Sequence, residues 1–144
     1  IKRIEQYEKW ISEKTELLAE KLAEAGMKEA RIRFEAAAPG EVKTSVEKTQ
    51  NGWKIVASGD SVCFIEFGAG IHYNSDGDYP LKKPQGVVGI GEYGQGKGKQ
   101  NAWGYYDEGH NLIITNGTPA AMPMYFAGKE MEQKISQIAK EVFG

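Results

Sequence analysis

Apolar residues near the start of the chain recur at the spacing of one helix face. They fall at steps of three, four or seven residues, and Lys and Glu fill many of the positions between them. The stripe comprises Ile4, Tyr7, Ile11, Leu18, Leu22 and Ala25. This spacing predicts an amphipathic helix over residues 3–26. We expect it to end near Gly26, because glycine is common just past a helix C-terminus.

Residues 31–67 show the alternation that is typical of β-strands, and its first stretch, from Arg31, places Ile32, Phe34 and Ala36 on one face of a half-buried strand. Alternating stretches also flank Asn51-Gly52, and this dipeptide between two such stretches predicts a β-hairpin. Residues 62–67 are apolar on both faces apart from Glu66, which predicts a central strand with both faces covered.

A long glycine-rich stretch, residues 68–102, separates these strands from the rest and holds nine of the 18 glycines. Structureless loops longer than about 12–15 residues are uncommon inside compact domains and are usually functional or disordered. We therefore predict a long, flexible loop here. Beyond it, residues 103–115 alternate around a short turn and predict a last hairpin.

The end of the chain returns to helical spacing. Apolar residues recur at steps of three and four, and Pro123 suits the first turn of a helix over residues 123–143. The expected buried stripe is Met124, Ala127, Met131, Ile135, Ile138 and Val142.

These elements predict a single α+β domain over residues 1–144. In it, both terminal helices pack on one face of an antiparallel sheet that carries the glycine-rich loop. The length suits one domain with a core. The single cysteine, Cys63, excludes an intramolecular disulfide, no apolar run is long enough to span a bilayer, and the first residues lack the apolar stretch of a secretory signal.

Several stretches only partly match motifs that carry chemistry. Residues 89–94 spell the dinucleotide fingerprint, but glycines and lysines continue where a helix should begin. An overlapping run resembles a phosphate-binding P-loop as far as Lys97, but Gly98 follows at the position where a Ser or Thr should hold magnesium. His72 and His110 lie in separate predicted loops, without partners at ligand spacing. We expect no catalytic residue, metal site or cofactor, and hence no enzyme; an enzyme built on the glycine-rich loop would instead show saturable nucleotide binding.

Net charge gives no general attraction to nucleic acid, since 18 basic and 20 acidic side chains leave −2. The alternative that stays open is a small nucleic-acid-binding module that uses the basic glycine-rich loop. Its candidate residues are Lys82, Lys83, Lys97 and Lys99. Salt-sensitive DNA binding by the isolated protein would support it.

Three sequence motifs occur along the chain in an order that indicates a function other than nucleic-acid binding. FIEFGAG at residues 64–70 precedes the glycine-rich insertion, WGYY follows at residues 103–106, and TNGTPAAMPM at residues 115–124 leads into the last helix. This order resembles the head–tail joining or tail-completion family of tailed bacteriophages, whose members include neck and minor capsid proteins. Members similarly carry a strand end of the form (I/V)E(F/Y)G(T/A)G and a turn of the form (N/Q)GxPAxP(M/F).

The resemblance implies a structural, non-enzymatic virion protein that assembles as a homo-oligomeric ring in the neck. It implies contacts with other neck and tail proteins, namely a portal-side adaptor or stopper and a tail terminator or tail tube, transient non-specific contact with DNA in the channel, and no membrane partner. The expected locations are the virion and, during assembly, the host cytoplasm. The expected interface residues are Phe67, Gly68, Gly70, Tyr79, Lys82, Lys83, Lys97, Lys99, Trp103, Pro119, Pro123 and Met124.

Overall fold

A computed structural model describes residues 1–69, 79–81 and 102–144 of the chain. Within these ranges it contains three helices and two antiparallel hairpins. In chain order the elements are α1 (Lys2–Ala37), β1 (Lys43–Thr49), β2 (Gly52–Ser58), α2 (Val62–Phe67), β3 (Trp103–Tyr106), β4 (Leu112–Thr115) and α3 (Pro123–Phe143).

Helix α1 is longer than predicted, and Gly26 lies inside it rather than at its end. A Cβ atom on Gly26 would lie 2.7 Å from Ile55 Cδ1 on β2 and 2.8 Å from Met131 Sδ on α3. The glycine therefore leaves room for close packing, because α1, β2 and α3 all meet at this point. The predicted end of α1 at residue 26 is wrong, because the helix continues to Ala37. The glycine at this position reflects a contact between distant elements and not a helix cap.

The first strand predicted within residues 31–67 is also wrong, because α1 continues to Ala37. The buried residues of this part keep helical spacing, with Ala30 and Phe34 four residues apart and 0% and 1% exposed. Ile32, which the alternating pattern placed beside Phe34, is 64% exposed. The helix stops before Pro39, as expected from the steric restriction that proline places on the preceding residue.

Strands β1 and β2 form the hairpin that was predicted around Asn51-Gly52. The register pairs Thr49 with Gly52, so Gln50 and Asn51 are the two loop residues and Gly52 begins β2. The hairpin packs against α1, and Val42 and Ala57 contact the core made by Ala30, Phe34 and Ala127.

Residues 62–67 form the short helix α2 rather than the predicted central strand. Val62 and Ile65, three residues apart, both pack against the core, which is the spacing of a helix face. A short apolar run does not by itself distinguish a strand from a buried helix. The helix ends at Gly68, whose φ of 80° lies in the region that glycine favours.

Strands β3 and β4 form the predicted last hairpin, with Trp103 paired to Thr115 and Tyr106 to Leu112. They make a second two-stranded sheet, so the strands do not join in the single sheet that was expected. The predicted loop over residues 68–102 lies largely outside the described residues.

Helix α3 has the predicted bounds and runs antiparallel to α1. Trp10 near the start of α1 contacts Phe143 at the end of α3, with ring centroids 5.8 Å apart, while Gly26 meets Met131. Of the predicted stripe, Ala127, Ile138 and Val142 are buried, whereas Ile135 is 49% exposed. The fold is α+β, as predicted: both terminal helices pack against the β1–β2 hairpin and against each other.

Candidate functional site at the junction of α2 and α3

The site is the place where two of the three motifs meet. Residues 64–69 comprise the end of α2 and the two residues that follow it. Residues 118–124 comprise the segment before α3 and the first two residues of that helix. The Ala121 amide donates to the Ile65 carbonyl at 2.8 Å, and the Ala69 amide donates to the Thr118 carbonyl at 2.9 Å. These two hydrogen bonds hold the segment before α3 against the end of α2. Motifs about 50 residues apart in sequence thus form one unit, which we call the α2–α3 junction.

Glu66 is the charged centre of the junction and is only 3% exposed. Its Oε2 accepts the Met124 amide at 2.7 Å and its Oε1 accepts the Tyr125 amide at 3.0 Å. Amides in the first turn of a helix have no partner within the helix, and a negative charge there interacts favourably with the helix dipole. Glu66 therefore caps α3 from a separate element.

The cap is needed because α3 supplies none of its own. The residue before the helix is Met122, whose side chain makes no capping hydrogen bond and whose φ is 55°. Pro123, in the first turn, has no amide hydrogen and is fully buried, which fixes the direction in which α3 leaves the junction. Glu66 thus replaces the Ser, Thr, Asp or Asn that usually precedes a helix.

Tyr79 closes the junction from the other side. Its hydroxyl donates to Glu66 Oε1 at 2.7 Å. Its ring lies edge-to-face between Phe67 and Tyr125, with centroid distances of 4.9 and 6.1 Å. Burial, and then the hydrogen bond to Glu66, raises the pKa of the Tyr79 hydroxyl, so the group remains a neutral donor at ordinary pH.

An aromatic row continues from the junction towards α1. Tyr125 contacts Phe126 at 5.4 Å between ring centroids, and the Arg33 guanidinium lies 4.1 Å from the Phe126 centroid. Arg33 is held in place by Glu29, whose carboxylate accepts its Nε–H at 2.7 Å. The row joins α2, α3 and α1 through rings and one cation, contacts that contribute about 0.5–1.5 kcal/mol per pair.

Some of the expected interface residues meet at this junction and others do not. Pro119 is exposed in the segment that leads into α3, and Trp103 lies in β3, paired with Thr115. The residues that the structure brings to the junction are Phe67, Gly68, Tyr79, Pro123 and Met124. The residues that lie outside the described ranges are Gly70, Lys82, Lys83, Lys97 and Lys99.

Sequence reasoning missed Glu66 and Tyr125 as members of the site. Glu66 stood out as the one charge in an apolar run, which is a signal for a buried and partnered carboxylate. The pattern did not identify its partners, because the Met124 amide is 58 residues away in sequence.

The hydrogen bonds of the junction give Glu66 a structural role as the cap of α3. Three donors occupy the Glu66 carboxylate, which leaves it poorly placed to act as a general base. An open apolar groove of about 410 Å³ lies between α1, β2 and α3, and the described residues that line it carry no charge. Among the described residues, no three His, Cys, Asp or Glu side chains are grouped as metal ligands.

The described helices include none that is both long enough and apolar enough to cross a membrane. No family model, no curated protein and no solved structure matches the chain.

Proposed function

We propose that the chain is a structural subunit of the head–tail neck of a tailed bacteriophage. The observation that carries this proposal is the α2–α3 junction. The two motifs that resemble the tail-completion family contact each other there, and the motif residues Glu66, Pro123 and Met124 build a buried helix cap. Such a cap explains why these residue types occur together without any catalytic role.

An exposed apolar surface at one end of the α1–α3 pair supports a role in assembly. Near the start of α1, Ile4 and Tyr7 are 63% and 61% exposed. Trp10 and Ile11 add 40% and 39% exposed side chains beside them. Contiguous exposed apolar residues of this kind usually mark a protein–protein contact.

The β3–β4 hairpin carries a second exposed apolar surface. Tyr106, Leu112 and Ile114 are 71%, 57% and 66% exposed. An isolated two-stranded hairpin is at best marginally stable in water, so burial of this face against a neighbour would stabilise it. Two separate apolar surfaces on one subunit are compatible with head-to-tail contacts that close into a ring.

In the proposed role, copies of the chain form a ring between the portal-side neck proteins and the tail, around the channel through which DNA leaves. The subunit is present in the virion, and it contacts DNA only transiently and without sequence preference. No cofactor takes part.

The test is to delete the gene in the phage that encodes the chain and to examine the resulting particles by electron microscopy. We expect DNA-filled heads and separate tails, with tailed particles restored when the gene is supplied from a plasmid. Normal yields of tailed, infectious particles from the deletion would contradict the proposal.

A second experiment separates assembly from folding. We expect Tyr7→Ser to reduce the yield of infectious phage while leaving urea unfolding of the purified protein close to wild type, because Tyr7 is exposed. Glu8→Ser, the neighbouring exposed position, is the matched control and should change neither property. Equal phage yields from the two variants would remove the support that this surface gives.

A further inference from the structure

The surroundings of Tyr79 form a small, well-defined receptor. The Phe67 and Tyr125 rings flank the Tyr79 ring, and Glu66 Oε1 accepts its hydroxyl at 2.7 Å. The three receptor residues are fixed by helices: Glu66 and Phe67 belong to α2, and Tyr125 belongs to the first turn of α3. Tyr79 lies outside every helix and strand.

Several contacts that hold the receptor together do not involve Tyr79. The Glu66 carboxylate accepts two backbone donors, the amides of Met124 and Tyr125. The segment before α3 is attached to α2 through the hydrogen bond from the Ala121 amide to the Ile65 carbonyl. We therefore expect removal of the tyrosine to leave a carboxylate acceptor between two aromatic rings.

We propose that Glu66, Phe67 and Tyr125 form a phenol socket, which Tyr79 occupies in this structure and which can release it while α3 remains capped. The ligand class is a 4-alkylphenol, which in a protein assembly is a tyrosine side chain. The rings accept any aromatic ring edge-to-face, whereas the buried carboxylate demands a hydrogen-bond donor opposite the ring attachment. The socket therefore prefers tyrosine to phenylalanine.

This selectivity follows from the cost of leaving a buried charged acceptor without one of its donors. A hydrogen bond to a charged group is worth enough to give a preference of roughly tenfold or more for a phenol over the same ring without the hydroxyl. The inference stands apart from the neck role, because it rests only on the contacts around Tyr79.

The first experiment empties the socket with Tyr79→Ala and offers 4-methylphenol, with toluene as the matched probe that lacks the hydroxyl. We expect 4-methylphenol to raise the melting temperature of Tyr79→Ala, with an affinity about tenfold or more above that of toluene. Wild type and the double variant Tyr79→Ala, Glu66→Gln should respond much less. Equal responses to the two probes, no response, or failure of Tyr79→Ala to fold would each overturn the socket.

The second experiment tests release without loss of the cap. Hydrogen exchange at the Met124 and Tyr125 amides is compared between wild type and Tyr79→Phe, which keeps the ring and removes the donor. We expect the two amides to exchange within about threefold of wild type once global stability is matched with denaturant. Acceleration of about tenfold or more would show that the cap depends on Tyr79 and would overturn independent release.

Discussion

Replacing Glu66 by Gln tests the internal cap of α3 with the smallest possible change. Glutamine has nearly the same shape as glutamate, but it is neutral and presents an NH2 group in place of one carboxylate oxygen. Three donors converge on the Glu66 oxygens: the Met124 amide at 2.7 Å, the Tyr125 amide at 3.0 Å and the Tyr79 hydroxyl at 2.7 Å. One side of the glutamine must then point a donor at a donor.

The expected cost follows from two effects. Losing a hydrogen bond between a charged acceptor and a buried donor costs about 1.5–3 kcal/mol. Losing the negative charge at the start of α3 costs about 0.3–1 kcal/mol more, because the charge interacts with the helix dipole. Together they predict that Glu66→Gln lowers the free energy of unfolding by about 2–4 kcal/mol.

Urea unfolding followed by far-UV circular dichroism measures this loss. The matched control is Glu132→Gln, an identical chemical change on the outer face of α3, where the Glu132 side chain is 71% exposed. Its exposed ion pair with Lys129 predicts a change within about 0.5 kcal/mol. If Glu66→Gln unfolds at the same urea concentration as Glu132→Gln, Glu66 does not stabilise α3 as described.

Three further predictions concern stability. Gly128→Ala should stabilise the protein by about 0.5–1 kcal/mol in urea unfolding, since its added methyl group meets nothing within 4 Å. Gly26→Ala should stabilise the protein less than Gly128→Ala or destabilise it, because the Ile55 and Met131 side chains, 2.7–2.9 Å from the added methyl group, must shift to admit it; equal gains from the two variants would contradict the close packing. Ile138→Ala should cost about 2–5 kcal/mol and exposed Ile135→Ala much less, and equal costs would refute the orientation of α3. The Tyr79 hydrogen bond should stabilise the fold fully below about pH 10, the ordinary pKa of tyrosine, and progressively less above it, because folding raises the Tyr79 pKa. Above pH 10, wild type should therefore lose stability more steeply than Tyr79→Phe, and parallel losses would refute the linkage.

Local signals were sufficient where sequence neighbours decide the structure. Helix α3 combines a proline in its first turn with sustained apolar spacing, and its bounds agree with the prediction. The β1–β2 hairpin formed where Asn51-Gly52 indicated a tight turn. In both cases the residues that determine the element are adjacent in the chain.

The sequence misled where contacts between distant elements decide the structure. Gly26 carries the usual signal for a helix end, yet its role is to let β2 and α3 approach α1. The run at residues 62–67 is too short for its period to distinguish a strand from a helix, and packing of Val62 and Ile65 on the core selects the helix. Ile135 continues the spacing of the buried stripe but faces outward, since α3 buries only the side that lies on α1 and β2.

The candidate site also combines residues that the sequence indicated with a contact that it could not indicate. The resemblance pointed to Phe67, Pro123 and Met124, which do meet at the α2–α3 junction. The role of Glu66 depended on a contact across 58 residues, which neither period nor composition contains.

Localisation of the subunit in intact particles tests the central claim most directly. Gly144 is exposed, so a short epitope tag can be inserted directly after it and labelled with antibody-bound gold on purified phage. Electron microscopy should place the gold at the junction between head and tail. Gold over the head surface or over the tail tip would contradict a neck role. Absence of the tagged subunit from the purified particles would contradict it as well.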